Sequence, residues 1–125
     1  MMLPRAIPKS RASRGYRWRS QAHLVFVRSR ACSVCGSVTN IEAAHVRVGS
    51  GAGMGQKPDD WRAVSLCAGP NSSIERHLGC HNRQHLVGER IFWEGIDVEG
   101  LIDAFCKASP KAAEIAQIRK ERANG

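Results

Sequence analysis

Cys32-Ser33-Val34-Cys35-Gly36 is the stretch from which the fold can be read. Two thiols two residues apart on a tight turn, with a glycine relieving the crowding after the second, have the spacing of a zinc knuckle. A knuckle supplies half of a tetrahedral site, so a second pair is needed. Before the C-terminal helices the only other cysteines are Cys67 and Cys80. Their separation exceeds the usual two to four residues because residues 68–79 form a polar insertion, and a longer loop adds little closure entropy. Four thiolates leave no open position for water, so this site is expected to be structural. The competing reading is four free buried cysteines. Cys106 lies on the apolar stripe of a helix and reads as core.

Outward from the knuckle, Thr39 to Val48 is rich in β-branched residues and predicts a first strand, and Trp61 to Cys67 predicts the returning one. The pair makes an antiparallel hairpin whose connection, Gly49 to Gly55, holds four glycines. Helical patterns follow from Cys80 to Val87, with a break at Gly88 before Ile91, Phe92 and Trp93, then from an Asp97 N-cap, then from Ser109-Pro110. Trp18 to Arg30 reads as a short helix packing on the body or a strand, with helix favoured, and Trp18, Trp61 and Trp93 read as packing residues. The expected class is α+β. Its expected organisation is a basic flexible arm over residues 1–22, a zinc-stapled body over 23–94 and a helical extension over 95–125.

Charge sharpens this division. The net charge is +8, and residues 1–30 hold eight basic side chains and no acidic one, whereas the remainder balances. A one-sided basic arm beside a neutral body fits a polyanion partner, with affinity that falls as salt rises. No run of 18 apolar residues is present, and nothing at the N-terminus reads as a secretory signal. This predicts the cytosol, where thiols stay reduced, and no membrane partner.

His81 and His85 stand four residues apart on a predicted helix and can grip one ion from one face. They do not complete an ordinary two-cysteine, two-histidine finger, because 45 residues separate Cys35 from His81 where a finger has about a dozen. His45 lies near the end of the first strand, which the cysteine staple would draw towards that helix. A base on a hairpin facing a metal-gripping helix supplies both functions that phosphodiester hydrolysis needs. Arg47, Lys57, Arg62 and Arg76 lie in or near the presumed cleft and are candidate phosphate contacts. His23 and His77 read as ordinary polar histidines.

The ordered set Cys32-x-x-Cys35, Glu42-Ala43-Ala44-His45-Val46-Arg47, Gly53 to Trp61, Leu66-Cys67 and Gly79-Cys80-His81-Asn82-Arg83-Gln84-His85 resembles the HNH endonuclease superfamily. Over about residues 23–94 it is similar to small phage and prophage nucleases related to the phage recombination-enhancement nuclease. The resemblance implies a ββα-metal (His-Me finger) fold, with His45 as general base and His81 and His85 as ligands of a catalytic divalent ion. It also implies in-line attack by water leaving a 5′-phosphate and a 3′-hydroxyl, DNA as substrate, and phage recombination or host DNA-processing proteins as partners. Zn2+, Mn2+ or Ni2+ suits two imidazole ligands better than Mg2+. Two positions depart from the pattern. Ala44 stands where many HNH enzymes carry another ligand, which leaves Glu42, His77, His45 itself, or water and phosphate to fill the shell. The middle asparagine is absent before Cys67, and Asp60 is the residue best placed to pin the loop. Two alternatives to the DNA nuclease are a zinc-stabilised nucleic-acid-binding module without catalysis, and an RNA-directed nuclease.

Overall fold

The computed structural model describes residues 17–51, 57–69 and 79–124. Arg76, His77, most of the glycine-rich connection and the first sixteen residues of the arm lie outside the described residues. The order is helix α1 (Gln21–Arg28), strand β1 (Ile41–His45), a 3-10 turn (Asp60–Arg62), strand β2 (Ala63–Cys67), and helices α2 (Cys80–Val87), α3 (Glu89–Phe92), α4 (Val98–Ala108) and α5 (Ala112–Asn124). Helix and a small two-stranded sheet together make the chain α+β, as expected.

The two strands are antiparallel, with Ile41 opposite Cys67 and His45 opposite Ala63. Both are shorter than the sequence pattern suggests. Asn40 takes a positive φ of 53° just before β1, and the residues preceding Ala63 wind into the 3-10 turn. Every residue of β2 is buried, because α1, α2 and α4 all pack against this strand. A strand covered on both faces loses the polar alternation that marks a half-exposed one.

Side-chain caps set the helix starts. Ser20 accepts from the His23 amide, Asp97 accepts from the Gly100 amide, and Ser109 Oγ accepts from the Lys111 amide. Gly88, at φ 87°, makes the expected break between α2 and α3. Gly79, at φ 94°, opens α2 so close to Gly69 that an added Cβ would lie 2.0 Å from the Gly69 nitrogen.

One core gathers Trp18, Val46, Val64, Leu66, Trp93, Ile102, Cys106 and Ile115. Two consequences correct the expected organisation. The helices of 95–125 bury Val98, Ile102 and Ile115 in this same core, so they complete the body. Residues 17–22, expected in the flexible arm, are bound into it: Trp18 is 2% exposed, its amide bonds Asp59 and its indole N–H bonds Glu114. Arg17 and Arg19 pair with Asp59 and Asp60, which removes two cations from the charge available to a polyanion. No helix among the described residues is long and apolar enough to cross a membrane.

Candidate metal centre and histidine cleft

The knuckle turn, the end of β2 and the start of α2 bring Cys32, Cys35, Cys67 and Cys80 together, with all four sulfurs within 4.8 Å of one another. Among the described residues no other cluster of three or more histidines, cysteines or carboxylates is so arranged. Zn–S bonds of about 2.3 Å in a tetrahedron place sulfurs about 3.8 Å apart, and Cys35 and Cys67 stand at 3.6 Å. The quartet therefore fits zinc by both spacing and donor type. Its local chemistry agrees. Burial raises the Cys32 thiol, but hydrogen bonds from the amides of Cys35, Val34 and Cys67 outweigh it and bring the thiol down to about 7. Burial, helped by the neighbouring sulfurs, pushes Cys67 and Cys80 up. A cation held among the four would allow all of them to ionise. Cys106 stays apart as expected: it is buried, donates to the Trp61 carbonyl, and burial raises its thiol to about 11.

Helix α2 has little apolar burial to hold it. Of its eight residues only Cys80 and Gln84 are buried, so it lacks the apolar stripe that attaches a surface helix to a core. The Cys80 amide also donates to Cys67 Sγ at 3.4 Å. With Cys80 and Gln84 turned inward, the helix presents His81 and His85 on a cleft of about 540 Å³.

His45 from β1 and Ala43 line that same cleft, together with Arg28 from α1, Arg47, Lys57, Gln84 and Glu89. The three sequence-predicted histidines thus share one cavity. His45 Nε2 lies 2.9 Å from Asp60 Oδ1, and Asp60 also accepts from the Ser20 amide and Arg19. Those hydrogen bonds outweigh burial and hold the Asp60 carboxyl below its usual range. Burial, with Lys57 and Arg19 nearby, outweighs Asp60 and lowers His45 below the usual imidazole value. A neutral imidazole beside an ionised carboxylate carries its proton on Nε2, and that leaves the Nδ1 lone pair free to accept one.

His81 Nδ1 lies 2.6 Å from Glu42 Oε1, and the rings of His81 and His85 are 4.9 Å apart. Glu42 therefore orients His81 through the ring nitrogen that leaves Nε2 open, the arrangement common to metal-binding histidines. Glu89 grips the chain beyond β1, its two oxygens accepting from the amides of Arg47 and Val48.

The predicted phosphate contacts divide. Arg47 and Lys57 are exposed in the cleft. Arg62 is not: it is 4% exposed, and its guanidinium bonds the carbonyls of Val46 and Val48 and the Glu99 carboxylate. Its task is to tie the strand ends to α4, so Arg62 is a structural residue and not the phosphate contact expected from the sequence. Arg28 was not legible as a cleft residue, because only the packing of α1 against the sheet carries it there. His23, expected as an ordinary histidine, is fully buried with Nδ1 2.8 Å from Ser109 Oγ.

Fold and quartet together define a small α+β protein with a candidate structural zinc site. Residues 6–93 match the family described as "Protein of unknown function (DUF968)", and the chain belongs to that family. No curated protein and no solved structure matches it.

Proposed function

We propose that the protein is a metal-dependent endonuclease of the HNH type acting on DNA, with a ββα-metal core formed by β1, β2 and α2. One observation carries this reading: His45, His81 and His85 line a single cleft together with the cations Arg28, Arg47 and Lys57. His45 takes the proton of the attacking water at Nδ1 while Asp60 holds the ring by Nε2. Arg28, Arg47 and Lys57 offset the charge of the phosphodiester and its neighbours along the strand. His81 and His85 are the residues that would hold a divalent ion, which neutralises charge developing on the leaving oxygen. Zinc at the cysteine quartet is structural and fixes α2, which places both histidines.

The test is plasmid nicking by wild type and His45→Ala in Mg2+, Mn2+, Ni2+ and Zn2+. Metal-dependent nicking by wild type, lost in His45→Ala, is the expected result. Binding of DNA with no cleavage in any metal refutes the enzyme. It would favour the second reading, a zinc-stabilised nucleic-acid-binding module without catalysis, which the cysteine quartet fits equally well and to which Ala44, with no ligand to offer, lends weight. Single-stranded RNA in the same assay separates the RNA-directed alternative.

A further inference from the structure

Asp59 and Asp60 are consecutive and almost fully buried, at 3% and 2% exposure. Two adjacent buried carboxylates are costly unless each is supplied with its own donors. Here the donors come from opposite ends of the chain. Asp60 bonds His45, Arg19 and the Ser20 amide. Asp59 receives the Trp18 amide at 2.7 Å and a two-pronged pair from Arg122 of α5, both contacts at 2.8 Å, with Arg17 at 3.7 Å. Arg19 further bonds the carbonyls of Lys57 and Pro58. The segment 57–60 that delivers Lys57 to the cleft and Asp60 to His45 is thus held by residues 17–20 on one side and α5 on the other. Helix α5 begins beyond the family match, which ends at residue 93.

We infer that Arg122 is a positioning residue for His45, acting through the Asp59 and Asp60 carboxylates. A planar guanidinium engaging both oxygens fixes the Asp59 carboxylate in orientation. Without it, Asp59 keeps only the Trp18 amide and the more distant Arg17, so the segment 57–60 loses its tie to α5. Asp60, the next residue, can then shift against its own donors, and the imidazole it holds is no longer fixed. Lysine at 122 keeps the charge and restores one of the two bonds.

The kinetic part of this inference rests on the nuclease reading, so its test carries a readout that does not. Full-length wild type, Arg122→Ala and Arg122→Lys are compared for plasmid nicking in Mn2+, for zinc content, and for the His45 ring-nitrogen signals by 15N NMR. Expected for Arg122→Ala is a fall in kcat of roughly 10- to 100-fold with little change in KM. Zinc content stays unchanged, and the Nε2–H signature of His45 is lost or mixed with the other tautomer. Arg122→Lys recovers part of kcat and the wild-type ring signals. An unchanged imidazole spectrum in Arg122→Ala overturns the inference, as does a fall in kcat that lysine does not relieve. If wild type itself does not nick DNA, the nuclease reading fails and the ring signals alone decide the positioning role. Should Arg122→Ala not fold, Arg122→Gln, which keeps one donor arm, takes its place with the same expected outcomes.

Discussion

If zinc fills the cysteine quartet, its removal should release α2 before the rest of the fold, and the structure sets the scale. Ordering the helix's eight residues costs about 1–2 kcal/mol each in backbone entropy, or roughly 10 kcal/mol in all. A helix of this length is not stable alone in water, where about 12–15 residues are needed. Against that cost α2 buries only Cys80 and Gln84, and one small buried side chain contributes on the order of 1–2 kcal/mol. A structural zinc supplies about 10–16 kcal/mol of apparent binding free energy, which is the size of the deficit. The core that Cys32, Cys67 and Cys80 adjoin also holds Trp18, Leu66, Ile102 and Ile115, whose apolar burial needs no metal. Hydrogen exchange on protein treated with a strong chelator, against the zinc-loaded form, measures the difference. Amides of Cys80–Val87 should lose their protection, while those of Val98–Ala108 keep most of theirs. Metal-free protein whose Cys80–Val87 amides stay as protected as those of Val98–Ala108 would refute the reasoning, because some attachment other than the sulfurs would then hold the helix.

Two further outcomes follow from single positions. Burial lowers His45 below its ordinary value of about 6.5, so the unfolded chain binds this proton more readily than the folded one. Stability contributed by the neutral ring is complete above about pH 6.5 and is lost as pH falls towards the lowered folded value. Nicking should decline on the same acid limb, and a pH–rate profile whose acid limb sits above pH 7 contradicts the assignment. Gly79→Ala forces a positive φ on a residue with a side chain and drives its Cβ into the Gly69 backbone. A loss of about 3 kcal/mol or more in thermal or urea unfolding, with reduced zinc retention at neighbouring Cys80, is expected. A change within 0.5 kcal/mol, the range of an ordinary surface substitution, would show that the two glycines can separate freely.

The parts legible in the sequence were those encoded by local spacing. Cys32-x-x-Cys35 names a turn, Asp97 and Ser109 name helix starts by chemistry within three residues, and Gly88 names a break; each stands where expected. Residues whose meaning depends on distant partners were not legible. Arg62 and Lys57 look alike on the chain, yet one is sealed among the carbonyls of Val46 and Val48 and the other opens into the cleft. Arg17 and Arg19 look like cations of a free arm until Asp59 and Asp60, about 40 residues on, are seen to need them. Asp60 shows why the distinction matters for function. A carboxylate in a loop suggests only local pinning, but Arg19 and the Ser20 amide satisfy it from outside the loop and it in turn directs the His45 ring. The chemistry of the cleft is therefore written in the pairings between the ends of the chain as much as in the motifs between them, and substitutions at positions 19, 59 and 122 should bear on it although none of these residues lines the cavity.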